Sequence, residues 1–291
     1  MKKLLVTGAS GFLGWTLCQV ARSEWEVWGT YHSHTIEIPG CLAVSIDLTD
    51  GEALAGLFAE IRPDAVIHAA ARSKPNDCQM HPEESYSANV TASEAIAQCC
   101  ANADIPCAFT STDLVFDGAN PPYRESDRVC PANLYGEQKA IAEERMLQIY
   151  PRTAVCRLPL MFGVPSPHAD SFIQGFIHSL RTGSAIDLFV DEYRTPISAT
   201  TAARGLLLAL ERAEGRLHLG GGERISRYDF GILMAEVLEL PAELIRACRQ
   251  KDVPMAAPRP ADVSLDSAKA VALGYEQPPL RQELERLKGQ I

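Results

Sequence analysis

The residues with the clearest chemical potential are a threonine near a strand end and a tyrosine–lysine pair on a later helix. Thr112 follows a short apolar segment, and Tyr135 and Lys139 stand four positions apart in YGEQK. Residues with this spacing lie on one face of a helix. A phenol with a pKa near ~10 exchanges protons poorly at neutral pH, but a nearby ammonium and a bound nicotinamide would favour its ionised form. Tyr135 could then protonate a carbonyl oxygen that Thr112 also hydrogen-bonds. Such a pair also fits the solvent-facing start of a helix.

A glycine-rich turn supplies an independent signal. The segment LVTGASGFLG places Gly8, Gly11 and Gly14 between an apolar run and a helical one. A helix interior loses about 1 kcal/mol at each glycine relative to alanine, so the spacing needs another reason. In a parallel sheet, such a turn lets a pyrophosphate approach the backbone N–H groups at a helix N-terminus. The position of the turn predicts a bound dinucleotide, although glycine triplets also occur in ordinary loops.

The ends of the next strands predict how the rest of the dinucleotide is held. Asp47 and Leu48 follow the third predicted strand and suit an adenine ring, or Asp47 begins the next helix. The second strand ends in TYHSH, with no acid before Glu37 to repel a 2′-phosphate and no arginine to clamp one. We therefore expect NADP(H) to be preferred and NAD(H) to be accepted. After the fourth strand, small residues leave room for a ribose or serve tight helix–sheet packing; they are Ala69, Ala70 and Ala71.

Alternating strand and helix patterns must position these residues. Short apolar runs predict strands at 2–7, 26–31, 42–46, 65–68, 106–111, 153–158 and 216–219, and helical spacing predicts helices at 12–22, 52–60, 83–102 and 136–149. This alternation implies right-handed crossovers and a doubly wound, parallel α/β sheet of the Rossmann type. We expect 1–160, with a return near 195–220, to form the dinucleotide-binding domain, and 161–291 to form mainly a smaller, discontinuous substrate lobe.

Composition narrows the functional classes. The 291 residues carry a formal net charge of −10, with 46% hydrophobic and 22% charged residues, which is typical of a globular protein. The chain has no basic stripe for nucleic acid, and no apolar run reaches the ~20 residues of a membrane span. We expect no secretory signal. The nine cysteines include no CxxC pair and the histidines are scattered, so we expect free thiols, no metal site and a cytoplasmic location.

Taken together, these residues resemble the extended short-chain dehydrogenase/reductase family. The stretch STDLVFDGANPPYRESDRVCPANLYGEQKAIAEE is similar to the active-site segment of dTDP-4-dehydrorhamnose reductases and of the related regulatory β subunit of methionine adenosyltransferase. RLPLMFG, YRTPISATTAARGL, HLGGGERISRYDF and RPADVSLDSAK resemble later landmarks, so the likeness covers nearly the whole chain.

The resemblance implies an NAD(P)H-dependent reductase of a carbonyl on a nucleotide-sugar-like small molecule. The alternative is a non-catalytic, NADP-binding regulatory subunit that modulates another enzyme. An epimerase or a dehydratase on the same fold is less favoured, because Asp113 is followed by Leu114 where a dehydratase carries an Asp-Glu pair. A homodimer is left open.

The resemblance also assigns roles by position. Thr112, Tyr135 and Lys139 take the catalytic positions, while Leu114 stands where these reductases usually carry tyrosine. For the substrate, Arg194 and Arg259 could bind a phosphate bidentately or form ion pairs, and Phe116 is a further candidate contact. The implied cofactor contacts are Gly8, Ser10, Gly11, Phe12, Leu13 and Gly14 at the pyrophosphate, His32 and Ser33 at the adenosine ribose, Asp47 and Leu48 at the adenine, Ala69, Ala70 and Ala71 at the inner ribose, and Met161, Tyr135 and Lys139 at the nicotinamide end.

Overall fold

A parallel sheet forms the centre of the computed structural model, which describes residues 1–291. Its seven strands are β1 (Lys3–Thr7), β2 (Glu26–Tyr31), β3 (Leu42–Ser45), β4 (Ala65–His68), β5 (Cys107–Thr112), β6 (Ala154–Leu158) and β11 (Gly215–His218). The short strands outside it are β7 (Met161–Phe162), β8 (Ile186–Phe189), β9 (Tyr193–Arg194), β10 (Ile197–Ser198), β12 (Ile225–Ser226) and β13 (Ile245–Cys248).

The strand order is β11-β6-β5-β4-β1-β2-β3, and every neighbouring pair is parallel. The chain winds outward from β1 to β3 in one direction and from β4 to β11 in the other. The predicted Rossmann-type α/β fold is therefore confirmed. The segment predicted as a strand at 216–219 forms β11, which extends the main sheet beside β6.

Helices cover both faces of this sheet. They are α1 (Phe12–Ala21), α2 (Gly51–Ile61), α3 (Pro75–Met80), α4 (Pro82–Tyr86), α5 (Ala92–Ala103), α6 (Leu134–Ile149), α7 (Phe172–Arg181), α8 (Ala199–Arg212), α9 (Arg227–Val237), α10 (Ala268–Ala272) and α11 (Leu280–Glu285). Because successive strand residues point to opposite faces, Leu4 and Val6 pack with α1 and α8, whereas Leu5 packs with α2, α5 and α6. No helix in the chain combines the length and the apolar character that crossing a membrane requires.

The helix predicted at 83–102 is interrupted by a π-helical turn. This turn spans Ser87–Thr91 and joins α4 to α5. The side chain of the buried Asn89 accepts a hydrogen bond from the Arg72 backbone N–H at 2.9 Å and donates to the Arg72 carbonyl at 3.1 Å. It also donates to Gln138 Oε1 on α6 at 2.9 Å. Apolar spacing does not reveal such a turn, which is frequent at functional sites.

The carboxyl-terminal part is less regular. Helices α7, α9 and α11 share a core of their own with β8, centred on residues such as Ile173, Phe230 and Leu284. Arg194 of β9 forms an ion pair with Asp113, the residue that follows β5. This contact places the irregular part against the carboxyl end of the central sheet, where open α/β sheets bind their ligands.

Candidate functional site

A cleft of about 860 Å³ lies at the carboxyl end of the central strands. It gathers most of the predicted cofactor residues from the loops that follow β1, β2, β3 and β4. Lys139 and Thr112 are buried beside it rather than in its wall. The predicted residues that line the cleft are Gly8, Ser10, Gly11, Phe12, Leu13, Gly14, His32, Ser33, Asp47, Leu48, Ala69, Ala70, Ala71, Tyr135 and Met161. Their contacts with a cofactor stay predictions, but the fold brings them together.

The three glycines of the first turn differ in what a side chain at each position would contact. Gly8 has a φ of +70°, and a Cβ there would lie 2.7 Å from the Ala70 Cα. A Cβ on Gly14 would lie 2.2 Å from the Gly8 carbonyl oxygen, so both positions are required by the turn itself. A Cβ on Gly11 would meet only the Gly8 oxygen, at 3.2 Å, and otherwise faces the open cleft. Gly11 begins α1 without a side-chain cap, so the first N–H groups of α1 remain free for an anion.

The outer end of the cleft contains Asp47 and His32. Asp47 Oδ1 accepts hydrogen bonds from the backbone N–H and the hydroxyl of Thr49, at 2.9 and 2.7 Å, and these bonds lower the pKa of its carboxyl group. His32 Nε2 lies 4.0 Å from Asp47 Oδ2. Helix α2 is capped by Asp50 and not by Asp47, so the alternative interpretation of Asp47 as a helix start was wrong.

Tyr135 stands in the first turn of α6 at the inner end of the cleft. Asn133 caps α6 by accepting a hydrogen bond from the Gly136 N–H at 2.9 Å. A Cβ on Gly136 would lie 2.1 Å from the Leu114 carbonyl oxygen, so this glycine lets α6 approach the end of β5. That approach sets the phenol beside the Thr112 hydroxyl. Burial raises the pKa of Tyr135 far above its ordinary value, and the hydrogen bond with Thr112 opposes the rise only weakly. The phenol is therefore a protonated donor.

Lys139 lies one helical turn further along α6. Its side chain is fully buried, with Nζ 4.1 Å from the centroid of the Phe109 ring. Burial lowers the pKa of Lys139 to about 7, although the Glu143 carboxylate acts in the opposite direction. Nζ has no hydrogen-bond partner in the protein. Because an unpaired buried donor costs about 1–3 kcal/mol, this amino group is suited to hydroxyl groups that a ligand would bring.

A second buried network was missed by the sequence analysis. Glu143 accepts hydrogen bonds from Arg157 at 2.9 and 2.7 Å and from the Ser111 hydroxyl at 2.5 Å. These bonds outweigh burial and hold the pKa of Glu143 below its ordinary value. The network ties β5, β6 and α6 together beneath Tyr135. Its only sequence signal was the four-residue spacing of Lys139 and Glu143, which is common on solvated helices.

Arg194 and Arg259, two of the candidate substrate residues, belong to a cluster of charged side chains. Arg194 Nε lies 3.4 Å from Asp113 Oδ2, and its Nη2 lies 3.4 Å from Glu192 Oε1. Arg194 therefore forms the ion pairs that the sequence left as an alternative to phosphate binding. Arg227 Nε lies 3.6 Å from Glu192 Oε1, and its guanidinium stacks over the Phe172 ring at 4.4 Å. Arg259 is half-buried, and its Nε has no hydrogen-bond partner.

Phe116 does not face the cleft. Its ring is fully buried, lies 4.0 Å from the Tyr123 ring between centroids, and is covered by the Arg157 guanidinium at 5.0 Å. The expected contact of Phe116 with a substrate does not fit this position, because no part of the side chain is accessible. The structure also brings no three His, Cys, Asp or Glu side chains together as a group that could hold a metal ion.

Comparisons with known proteins support the resemblance seen in the sequence. Methionine adenosyltransferase 2 subunit beta from Xenopus laevis is 30% identical over 284 residues, which are 95% of this chain and 84% of that protein. The probable low-salt glycan biosynthesis reductase Agl14 of Haloferax volcanii is 32% identical and covers 97% of this chain and 96% of its own length. The crystal structure of a hypothetical dTDP-4-dehydrorhamnose reductase from Sulfolobus tokodaii superposes with a TM-score of 0.84 at 32% identity, covering 96% of this chain and 98% of that one. The family model described as the RmlD substrate binding domain matches residues 1–290, and the chain belongs to that family.

Proposed function

We propose that this protein is an NADP(H)-dependent reductase of a carbonyl group on a nucleotide-sugar-like small molecule. The observation that carries the proposal is the inner end of the cleft, where the protonated phenol of Tyr135 stands one helical turn from the unpartnered ammonium of Lys139. The Haloferax relative is itself described as a probable reductase, and the Sulfolobus structure as a hypothetical dTDP-4-dehydrorhamnose reductase.

The residues of the cleft fit a nicotinamide dinucleotide. The free N–H groups of α1 beside Gly11 suit a pyrophosphate, and Lys139 Nζ suits the hydroxyls of the nicotinamide ribose. His32 and Ser33, in place of an acid, leave room for a 2′-phosphate. When bound, this cofactor supplies the hydride that reduces the carbonyl carbon.

The protein contributes the proton and the geometry. Tyr135 donates its hydroxyl proton to the carbonyl oxygen, because its raised pKa keeps the phenol protonated until negative charge develops on that oxygen. Lys139, one helical turn further along α6, is the candidate cation for the phenolate that remains. The Glu143–Arg157 network fixes α6, and the burial of both catalytic side chains excludes water from the proton transfer.

A regulatory, NADP-binding subunit is the second candidate function. Its support is the Xenopus relative, whose name describes a subunit of methionine adenosyltransferase and which matches 95% of this chain.

The two functions are separated by adding NADPH and a panel of nucleotide-sugar ketones to the purified protein and following the loss of NADPH absorbance. We expect at least one ketone to be reduced. Binding of NADPH without reduction of any ketone, together with altered activity of an added methionine adenosyltransferase catalytic subunit, would favour the regulatory function instead.

A further inference from the structure

The hydroxyl hydrogen of Thr112 is directed at a neighbouring acid. Thr112 Oγ1 lies 3.2 Å from Asp113 Oδ1 and accepts a hydrogen bond from the Leu114 N–H at 3.2 Å. An ionised carboxylate can only accept, so Thr112 is the donor in the first contact. A hydrogen bond to a charged acceptor is roughly twice as strong as one to a neutral acceptor. While Asp113 is ionised, a neutral substrate carbonyl therefore competes poorly for the only hydrogen of Thr112.

Charged groups from several elements face Asp113. Arg194 comes from β9 and Glu192 from the residues before it, Tyr135 comes from α6, and Arg227 comes from α9. The Asp113 side chain is 5% exposed, and its Oδ2 makes no hydrogen bond although Arg194 Nε lies 3.4 Å away. Burial raises the pKa of Asp113 to about 6; Arg194 opposes the rise and Glu192 adds to it. Asp113 therefore changes its charge within the range in which the protein can be assayed.

We propose that Asp113 is a positioning residue whose protonation decides whether Thr112 can hydrogen-bond the substrate carbonyl oxygen. The proposal rests on the reductase function. When Asp113 is neutral, its carboxyl O–H donates to Thr112 Oγ1, and the Thr112 hydrogen turns to the carbonyl oxygen beside Tyr135. The hydride goes to the carbonyl carbon, and the proton that ends on the oxygen comes from Tyr135. Asp113 keeps its own proton, so no further reactant is needed.

The negative charge of ionised Asp113 also disfavours reduction of the carbonyl. Negative charge develops on the carbonyl oxygen during reduction, and an ionised carboxylate nearby disfavours it. Burial is the main cause of the raised pKa of Tyr135, and the negative charge of Asp113 adds to the rise. Both effects favour reduction at pH values below the Asp113 pKa and weaken it above.

The first test compares pH profiles of kcat and kcat/KM for the wild type, Asp113→Asn and Glu192→Gln. For the wild type we expect a fall of about three- to tenfold as the pH rises through the Asp113 pKa, which is the effect of one hydrogen bond. In Asp113→Asn the amide N–H donates to Thr112 at every pH, so the fall near the Asp113 pKa should disappear and only a later fall, as Lys139 loses its proton near pH 7, should remain. Glu192→Gln changes the other carboxylate on Arg194 and should keep the fall, moved to lower pH. A fall in Asp113→Asn that matches the wild type, or a flat Glu192→Gln profile, would overturn the proposal.

The second test needs no substrate. Tyr135 is replaced by the more acidic 3,5-difluorotyrosine, and its ionisation is followed by fluorine NMR with Asp113 present or changed to Asn. We expect a lower midpoint in the Asp113→Asn background, and an unchanged midpoint would overturn the proposal. If the midpoint shifts in a protein that reduces no ketone, the coupling between these residues stands and the reductase function is the part rejected.

Discussion

Tyr135, the proposed general acid, separates a proposed cofactor side from a proposed substrate side, and the two sides are built differently. The cofactor side relies on backbone and on small residues, such as Gly8, Gly11 and Ala70, which let a ligand approach the chain closely. The substrate side relies on long charged side chains, such as Arg194 and Arg227, which reach one another from separate segments. The first side is shaped by local spacing, and the second exists only after the chain has folded.

The difference also appears in the hydrogen-bond partners of buried atoms. Several buried side-chain atoms without a partner lie on the substrate side, namely Asp113 Oδ2, Glu192 Oε2, Arg227 Nη1 and Arg259 Nε. Buried polar groups in folded proteins are nearly always paired. This concentration of unpaired side-chain atoms distinguishes the charged cluster from the cofactor side, where Lys139 Nζ is the only such atom.

The largest expected effect is on the rate of ketone reduction, and it comes from changing Tyr135, which lies between the two sides. Tyr135→Phe removes only the phenolic hydroxyl, so the ring still packs and NADPH should still bind. The rate of ketone reduction should fall by ~10²–10⁴, the range for losing a general acid. Stopped-flow reduction and calorimetric titration measure the two quantities.

Lys139→Met is the matched comparison for this variant. It should lower both the rate and the affinity for NADPH, because the ammonium serves the phenolate and the ribose together.

An active wild type with an equally active Tyr135→Phe variant would contradict the assignment of the acid. A water molecule held by Thr112 would then be the candidate proton donor.

On the substrate side, Arg194→Met should reduce the free energy of unfolding by about 3–5 kcal/mol, because it leaves two buried carboxylates without their shared cation. Urea denaturation at neutral pH measures the loss. Arg281→Met is the control, since Arg281 pairs with Glu236 at a site where both side chains are at least half exposed, and an exposed ion pair contributes far less to stability than a buried one. Similar losses in the two variants would mean that the buried cluster contributes no more than a surface ion pair.

On the cofactor side, Gly11→Val should lower the affinity for NADPH by ~100-fold or more, because a branched side chain would occupy the space of the pyrophosphate. The fold should survive, since Gly11 has an ordinary extended backbone and a Cβ there faces the cleft. Gly14→Val should instead reduce thermal stability, because its Cβ would collide with the Gly8 carbonyl. Wild-type affinity in Gly11→Val would show that the dinucleotide does not lie over this turn.

Much of the cofactor side could be predicted because its signals are local. The strand, turn and helix around Gly11 follow one another directly, and Tyr135 and Lys139 share a helical face through their spacing. The sequence left open whether Asp47 begins the next helix, and in the structure Asp50 caps α2 instead.

The remaining features of the fold and the site depend on contacts between segments that are distant in the sequence. The apolar spacing of 83–102 does not indicate the π-helical turn in which Asn89 hydrogen-bonds with Arg72 and Gln138. Phe116 follows a strand end, as a substrate contact would, but stacking on Tyr123 buries it. The ion pair between Arg194 and Asp113 joins two segments that are far apart in the sequence, so the sequence alone left the role of Arg194 open.

The smallest expected effect concerns the choice between NADPH and NADH at the outer end of the cleft. His32 and Ser33 replace the acid that would repel a 2′-phosphate, so NADPH should bind several-fold more tightly than NADH. The preference should be modest, because His32 is 73% exposed, Asp47 lies 4.0 Å from it, and exposed charge contacts are screened by salt. Calorimetric titration of both cofactors at low and high ionic strength should show the preference shrinking as salt is added.

His32→Asp introduces the missing acid without touching the glycine turn, so it should reverse the preference while NADH affinity changes little. A wild type that binds NADH several-fold more tightly would show that this strand end recognises a 2′-hydroxyl.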